Sequence, residues 1–304
     1  MRRLLLWCAQ NRWLATHVPR WRFARRAVRR FLPGEGFDSA LKAAVDFKAQ
    51  GGIGALFTLL GENVTDLEDA NRVVEHYEQV LAASGGVQAE ISVKPTQVGL
   101  DIDPAAAYAN LERLARAAGK AKSFLWIDME GSAYTDRTLD LYARLKGEHP
   151  HVGVAMQAYL HRTVSDVARL LPSRPAIRLV KGAYAEPSQI AFAAKKEVDG
   201  NYLALCAFLQ PEVKRRHVRL VLATHDTDMV AKVWRFAEAA GIDRSQMEVA
   251  MLYGIRADEQ RRLAREGFNV RVLITYGDAW YAWYLRRLAE RPANVLFVAR
   301  QLLP

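Results

Sequence analysis

Short apolar runs alternate with longer amphipathic stretches over most of the chain. Eight runs have the length and the β-branched or aromatic content typical of strands. They cover residues 54–60, 90–94, 123–128, 152–157, 176–181, 217–224, 247–252 and 269–275. Stretches with helical periodicity follow them, over residues 65–83, 103–118, 134–146, 163–171, 187–209, 226–240, 257–265 and 278–290. Capping signals agree with these helices: Asn63 and Thr65 precede the first one, and Gly241 and Gly267 follow two others.

Eight strand–helix units in alternation predict a parallel sheet, and eight strands are the number that closes a (β/α)8 barrel. The predicted fold class is therefore α/β, with a TIM-like barrel. The rival architecture is a doubly wound open sheet. That fold would need a glycine-rich phosphate-binding turn after the first strand. Instead, the segment Gly51-Gly52-Ile53-Gly54 precedes that strand, and neither GxGxxG nor GxxxxGK[ST] occurs.

Positive charge is concentrated at the start of the chain. The net charge is +10, and residues 1–30 contain nine arginines and no acidic residue, which leaves the remainder at +1. We therefore predict a basic helical arm over residues 1–32 and a barrel over residues 33–304, with the turn Pro33-Gly34-Glu35-Gly36 at the boundary. The nearly neutral barrel argues against nucleic-acid binding.

Aromatic residues accompany the arginines of the arm, at Trp7, Trp13, Trp21 and Phe23. Arginine combined with tryptophan is typical of a helix that lies on anionic lipid. The alternative is a solvated basic arm that packs loosely on the barrel. No apolar run approaches the roughly 20 residues that span a bilayer. The chain has two cysteines, far apart, which fits a reducing compartment. We expect a cytoplasmic protein, either freely diffusing or peripheral on the inner membrane.

Polar residues are frequent at the carboxyl ends of the predicted strands, where a barrel of this kind has its active site. They are Lys94, Asp128, Glu130, Gln157, Lys181, Tyr184, Thr224, His225, Tyr253 and Tyr276. Because chains turn into solvent at strand ends, this position alone does not make a residue functional. Lys94, Asp128 and Arg178 differ, since each is flanked by apolar residues and a buried ion needs a partner. The alternation lets Arg178 face the lumen, and we expect Lys94 to pair with Asp128.

The last predicted helix contains two adjacent arginines, Arg286 and Arg287, with Glu290 four and three residues further on. Glu290 can neutralise one guanidinium and leave the other free to bind a carboxylate. The alternative is a surface helix with ordinary salt bridges. The sequence has no HExxH, no GxSxG and no histidine spacing that specifies a metal site. A cationic, tyrosine-lined pocket of this kind indicates an anionic substrate and an organic cofactor, and no metal.

Seven segments, in register with the predicted elements, resemble the proline dehydrogenase family. The fifth-strand segment is Arg178-Leu-Val-Lys-Gly-Ala-Tyr184, and the last helix contains Trp283-Tyr-Leu-Arg286-Arg287-Leu-Ala-Glu290, followed by Arg-Pro-Ala-Asn294. The others are Ser92-Val-Lys94, Phe124-Leu-Trp-Ile-Asp128-Met-Glu130, Ala155-Met-Gln157, Ala223-Thr-His225 and Leu252-Tyr-Gly254. The resemblance covers the chain from about residue 31 to the C-terminus.

This resemblance implies a distorted (β/α)8 barrel that holds FAD noncovalently, oxidises L-proline to Δ1-pyrroline-5-carboxylate by hydride transfer to flavin N5, and passes the electrons to membrane quinone. It implies catalytic roles for Asp128 and Arg178, with Arg178 near the N5–O4 edge of the flavin. The implied substrate-binding residues are Lys94, Tyr184, Leu252, Arg286 and Arg287. The implied cofactor-binding residues are Met129, Gln157, Arg178, Lys181, Gly182, Ala183, Thr224 and His225.

Two positions depart from the family pattern. Leu273 stands where the family often has a tyrosine on the eighth strand, and Trp283 stands where the last-helix motif usually begins with tyrosine. Both changes leave the arginine pair intact but leave open a related substrate, such as hydroxyproline or an N-methylated amine. A non-catalytic barrel with a membrane-binding arm is the alternative outside the enzyme class.

Overall fold

The computed structural model describes residue 5, residues 7–8, 11–21 and 24, and residues 28–290. Within these ranges, the structure does not describe the side chains of residues 12, 15, 20, 282, 286, 287, 289 and 290. Eight parallel strands form a closed barrel in the order of the chain, with β1 paired to β8. The strands are β1 Gly54–Leu59, β2 Ala89–Val93, β3 Leu125–Ile127, β4 Val152–Gln157, β5 Ala176–Val180, β6 Arg219–Ala223, β7 Glu248–Leu252 and β8 Asn269–Tyr276. The predicted barrel is confirmed.

The helices between successive strands pack on the outside of the barrel, and others precede β1 or follow β8. They are α1 Arg12–His17, α2 Phe37–Ala49, α3 Leu67–Ala83, α4 Pro104–Lys120, α5 Thr135–Glu148, α6 Thr163–Leu170, α7 Lys195–Lys214, α8 Thr227–Ala239, α9 Ala257–Arg265 and α10 Trp280–Glu290. Side-chain caps fix several of their starts. The carboxylate of Asp226, for example, accepts a hydrogen bond from the Met229 amide at 3.2 Å.

Three details of the helix prediction are wrong. The helix predicted over residues 187–209 begins only at Lys195, because residues 187–194 form a loop in which Ala191 bridges to Leu160. Helix α2 was not predicted, since it precedes the first strand and lies outside the strand–helix alternation. The N-cap of α3 is Asp66 rather than Asn63 or Thr65; the Asp66 carboxylate accepts from the Asp69 amide at 2.8 Å.

Alternate strand residues point to opposite faces, so one set fills the lumen and the other packs under the helices. The lumen cluster consists of Leu56, Trp126, Ala176, Val221 and Ala250. The larger core lies between the barrel and its surrounding helices and includes Phe57, Ile91 and Tyr77. The carboxyl ends of the strands therefore stand on a packed floor of side chains.

Four charged residues form a buried ion network at the amino end of the lumen. Arg219 contacts Glu248 at 2.7 Å and Glu90 at 2.7 Å, and Arg271 contacts the same two carboxylates at 3.3 and 3.1 Å. The Trp126 indole donates to the second oxygen of Glu90 at 2.7 Å. Two guanidinium groups balance two carboxylates, so the network carries no net charge.

The described part of the arm packs against α10. A cluster of buried residues joins Ala24, Val28, Phe31 and Leu32 to one face of this helix. The helix contributes Trp280, Tyr281, Trp283, Tyr284 and Leu288. At Gly254 the arm approaches so closely that an added Cβ would lie 1.6 Å from the Arg30 carbonyl oxygen. For these arm residues, the alternative of loose packing is wrong.

Candidate active site

The lumen residues at the carboxyl ends of β2, β3 and β5 form one hydrogen-bonded group. Arg178 is 5% exposed on β5, and its Nη2 donates both to Asp128 Oδ1, just after β3, and to the Ser92 hydroxyl on β2 at 3.0 Å. The Ser92 hydroxyl in turn donates to Asp128 Oδ1 at 2.7 Å. We call these three residues the Ser92–Asp128–Arg178 triad.

Two nitrogens of Arg178 stay unsatisfied within the described chain. Nε and Nη1 are both buried and have no hydrogen-bond partner among the described residues. The Trp126 ring lies 5.6 Å from the guanidinium carbon, which gives the cation an aromatic neighbour but no acceptor. A buried donor without an acceptor is costly, so these nitrogens favour a bound group with acceptor atoms.

The predicted pairing of Lys94 with Asp128 is wrong, because Asp128 is paired with Arg178 across the lumen. Lys94 is half-buried, and its ammonium group donates to the Gly61 carbonyl at 3.0 Å. Its backbone amide donates to Gln97 Oε1 at 3.1 Å. The first turn after β2 thus holds Lys94 at the mouth of the barrel, and two of its ammonium protons have no hydrogen-bond acceptor among the described residues.

Glu130, Gln157 and Met129 meet beside the triad. The Gln157 amide nitrogen donates to the carbonyls of Met129 and Glu130, both at 3.2 Å, while its buried Oε1 has no partner in the described chain. Burial raises the pKa of Glu130, although hydrogen bonds from the Thr96 hydroxyl and amide oppose this rise. The unsatisfied Gln157 oxygen is a second indication of a bound group with a matching donor.

The loop after β5 is fixed by its side chains and by one glycine. Lys181 bonds Asp199 at 2.5 Å and Asp226 at 3.1 Å, so its side chain is directed to the starts of α7 and α8. Burial by itself raises the pKa of Asp226, but the hydrogen bonds from Lys181 and the Met229 amide and the charges of Lys181 and Lys195 together outweigh it, and the pKa is lowered. Gly182 has φ +116° and faces the Tyr159 ring. Ala183 and Tyr184 follow, half-buried, at the same mouth.

The remaining predicted residues of the mouth lie on β6 to β8. Thr224 is buried and its hydroxyl accepts from the Asp226 amide at 3.1 Å; the His225 carbonyl accepts from Arg256 at 3.2 Å. Leu252 and Leu273 are register partners on β7 and β8. Leu273 packs against the lumen cluster, so both leucines face the lumen.

Tyr276 does not take the place of the tyrosine that the family often has at the position of Leu273. It lies three residues further along β8 and therefore points to the opposite face, where its hydroxyl bonds His76 Nε2 at 2.8 Å. Trp283 packs in the cluster between the arm and α10. The sequence places Arg286 and Arg287 in α10, but their side chains lie outside the described residues, as do the Glu290 side chain and residues 291–294.

Sequence reasoning did not predict the contacts of Ser92 with Asp128 and Arg178, and Ser92 entered it only through the motif Ser92-Val-Lys94. The available signal was alternation, because Ser92 lies two residues before Lys94 and must share its face. It also missed Gln97 and Thr96, which orient Lys94 and Glu130 through hydrogen bonds. Those contacts follow from the tight turn after β2, whose geometry no periodic pattern encodes.

Sequence comparison gives long matches to curated relatives, of which three are described. "Proline dehydrogenase" of Deinococcus radiodurans is 39% identical over 292 residues, 93% of this chain and 91% of the relative. In Bacillus subtilis (strain 168), "Proline dehydrogenase 2" is 36% identical over 276 residues, 90% and 89% of the two chains. "Proline dehydrogenase 1" of the same strain is 33% identical over 305 residues, 100% and 99% of the two chains.

Solved structures share the fold. Proline utilization A (PutA) from Bdellovibrio bacteriovorus, inactivated by N-propargylglycine, superposes with a TM-score of 0.81 at 20% identity over 95% of this chain. A PutA structure with proline bound in remote sites gives 0.75 at 25% identity over 91% of this chain. The matches cover only 38% and 32% of those longer chains.

The family model described as "Proline dehydrogenase" matches residues 40–300. This match spans all eight strands and the triad. The matches to the three curated relatives extend over 89–99% of each relative's length. The chain therefore belongs to the proline dehydrogenase family.

Proposed function

We propose that this protein oxidises L-proline to Δ1-pyrroline-5-carboxylate with noncovalently bound FAD. The observation that carries the proposal is the buried Arg178 guanidinium, which is held by Asp128 and Ser92 and keeps two nitrogens without partners in the described chain. A cation with free donors suits a ring system that becomes more negative as it is reduced. When bound, FAD would supply the hydride acceptor that the side chains of this site cannot supply.

The donor and acceptor pattern at the mouth fits such a cofactor. Arg178 offers Nε and Nη1, and Gln157 offers Oε1, all buried and unsatisfied in the described chain. We assign further cofactor contacts to Met129, Thr224 and His225 and to the backbone of Lys181, Gly182 and Ala183. The Lys181 side chain is bound to two aspartates, so its backbone is the part available for the cofactor.

We assign the substrate site to a second set of residues at the mouth. The Lys94 ammonium, with two protons free for a ligand, and the arginine pair of α10 supply positive charge for the proline carboxylate. Leu252 and Tyr184 supply apolar surface for the ring. Asp128 neutralises Arg178 in the resting site and so keeps a buried cation stable before substrate enters. The amine proton leaves to a base or to water.

The direct test is anaerobic. The purified protein is loaded with FAD, and its visible spectrum is recorded while L-proline is added. We expect the flavin bands to bleach and the imine product to form in equal amount. Flavin bands that stay unchanged at saturating L-proline would exclude proline as the substrate.

A second substrate class is favoured by one observation. Leu273 faces the lumen beside Leu252, and the next tyrosine along β8, Tyr276, points away from the lumen. The site therefore has an apolar wall without a phenolic hydroxyl. A panel of L-proline, hydroxyproline and N-methylproline, compared by kcat/KM, separates strict proline specificity from tolerance of a modified ring.

We propose that the arm contacts an anionic membrane surface and that quinone in the membrane accepts the electrons. Trp7 and Trp13 are 58% and 59% exposed although the arm packs on α10. No helix in the described part of the chain has the length and apolarity needed to cross a membrane. The proposal is thus of peripheral contact by the arm, residues 1–32, with the barrel, residues 33–304, on the cytoplasmic side.

A further inference from the structure

Ser92 contacts both charged members of the triad. Its side chain is fully buried on the lumen face of β2. The hydroxyl donates to Asp128 Oδ1 at 2.7 Å and accepts from Arg178 Nη2 at 3.0 Å, while that same nitrogen donates to Asp128 Oδ1. The three contacts close a ring, so each group is held by the two others.

This ring fixes the direction of the guanidinium plane. A guanidinium is planar and its donors have fixed relative positions. With Nη2 bonded to two acceptors, the plane of Arg178 has one orientation, and with it the two buried nitrogens that have no partner in the described chain. With Asp128 as the single acceptor, the plane could rotate about that contact.

The backbone of Ser92 is itself held in place. The Tyr77 hydroxyl, buried at the barrel wall, donates to the Ser92 carbonyl at 2.9 Å and accepts from the Leu59 amide at 2.8 Å. The strand pairs of β2 with β1 and β3 use main-chain groups. The Ser92 hydroxyl is therefore not needed to hold these strands together, and its hydrogen bonds to described residues all lie within the triad.

We propose that Ser92 is a positioning residue for the oxidation step, which it serves by orienting Arg178 toward the reacting edge of the flavin. This inference rests on the proposed function, because it places Arg178 beside that cofactor. Loss of the hydroxyl leaves Asp128 and Arg178 in place but releases the guanidinium plane. The cation then stabilises the reduced flavin less, and the flavin becomes harder to reduce.

The test compares Ser92→Ala with Ser123→Ala in the full-length, FAD-loaded protein. Ser123 is the matched control, since its hydroxyl donates to the Ala89 carbonyl at 2.7 Å at the other end of the same strand pair. For Ser92→Ala we expect the equilibrium constant for flavin reduction to fall about tenfold, a shift of about 30 mV toward negative potential. We expect kcat to fall about tenfold with KM for L-proline within about twofold. Ser123→Ala should change neither.

Two further variants complete the design. Ser92→Thr retains the hydroxyl and should restore the potential. Ser92→Cys has similar volume but a weak donor, and it should shift the potential in the same direction as alanine, which keeps the test decisive if the alanine variant does not fold. An unchanged potential in a folded, FAD-loaded Ser92→Ala or Ser92→Cys protein overturns the proposal. Failure of the wild-type protein to bind FAD or to react with L-proline would instead overturn the proposed function.

Discussion

Gly182 shows how a single residue shapes the loop after β5. Its φ of +116° lies where residues with a Cβ are strained, and an added Cβ would lie 2.2 Å from the Tyr159 ring. Gly200, within α7, is the opposite case, because an added Cβ meets no atom within 4 Å. The backbone therefore requires glycine at position 182, whereas position 200 has room for a side chain.

We predict opposite effects of alanine at these two positions. Gly182→Ala should lower the free energy of unfolding by about 2 kcal/mol or more and reduce the FAD content of the purified protein. Gly200→Ala should raise the free energy of unfolding by about 0.5–1 kcal/mol, since alanine has the higher helix propensity. Urea denaturation and the ratio of flavin to protein absorbance measure both. Equal effects at the two sites would contradict the assignment.

Strands β2, β6, β7 and β8 share one electrostatic element at the amino end of the lumen. Arg219 is held between Glu90 and Glu248 and also lies 4.4 Å from the Phe124 ring centre. Burial by itself raises the pKa of Glu248, but the Arg219 and Arg271 guanidinium groups outweigh it and the pKa is lowered. No hydrogen bond or ion pair among the described residues joins these four charged residues to the triad, so we expect their energetics to bear on stability rather than on chemistry.

Removal of the central cation should be strongly destabilising. Arg219→Met leaves two carboxylates with one described cation, Arg271, and we expect a loss of about 3–5 kcal/mol in the free energy of unfolding. Arg72→Met removes an exposed cation that contacts Glu68 and Asp69 on one helix. The loss there should be much smaller, because water replaces the lost contacts. Chemical denaturation of both variants measures the difference.

The lowered pKa of Glu248 predicts a pH-dependent contribution to stability. A carboxylate whose pKa is lower in the folded state stabilises the fold above its unfolded-state pKa, about 4.3, and this contribution is lost as the pH falls through the folded-state value. Glu248→Gln should therefore be less stable than the wild type at pH 7 by about 1.5–3 kcal/mol. The gap should narrow below about pH 4.3. A gap in melting temperature that stays constant between neutral and acidic pH would contradict this.

At the scale of the whole molecule, the arm and α10 form one unit at the carboxyl end of the barrel. The arm buries apolar residues against the helix that carries the arginine pair, and the Tyr281 hydroxyl donates to the Cys8 carbonyl at 3.2 Å. Trp7 and Trp13 stay exposed, so this packing does not depend on burying them. A membrane that engages them would lie on the side of the molecule that contains α10.

We predict that the exposed tryptophans carry membrane binding. Trp7→Ala combined with Trp13→Ala should weaken binding to phosphatidylglycerol vesicles roughly tenfold or more, because less apolar area enters the interface. Phe208→Ala combined with Phe236→Ala is the matched control, since these side chains are 43% and 54% exposed and belong to α7 and α8 rather than to the arm. Vesicle flotation measures both, and binding by the wild type should weaken in high salt. Equal flotation of the tryptophan variant and the wild type would exclude the arm as the contact.

The eight strands and most of the helices were predictable because the signals that set them are local. The strands were predicted from short runs of apolar residues, and the helices from the periodicity of apolar residues. Both patterns involve only near neighbours in the sequence. The loop at residues 187–194 was not predictable, since its helical pattern is overridden by a bridge between Ala191 and Leu160, residues that are distant in sequence. Burial of Arg178 followed from its apolar neighbours, but the identity of its partner did not.

The sequence by itself determined the barrel, the face on which each strand residue lies, and the set of polar residues at the mouth, because strand alternation and helix periodicity depend only on near neighbours. Only the tertiary structure decided that Asp128 pairs with Arg178 instead of Lys94, that Ser92 completes their contact, and that the Tyr276 hydroxyl bonds His76. Those contacts depend on the strand register and on how far each side chain extends across the lumen. Closure of the barrel fixes both, and no local pattern encodes them.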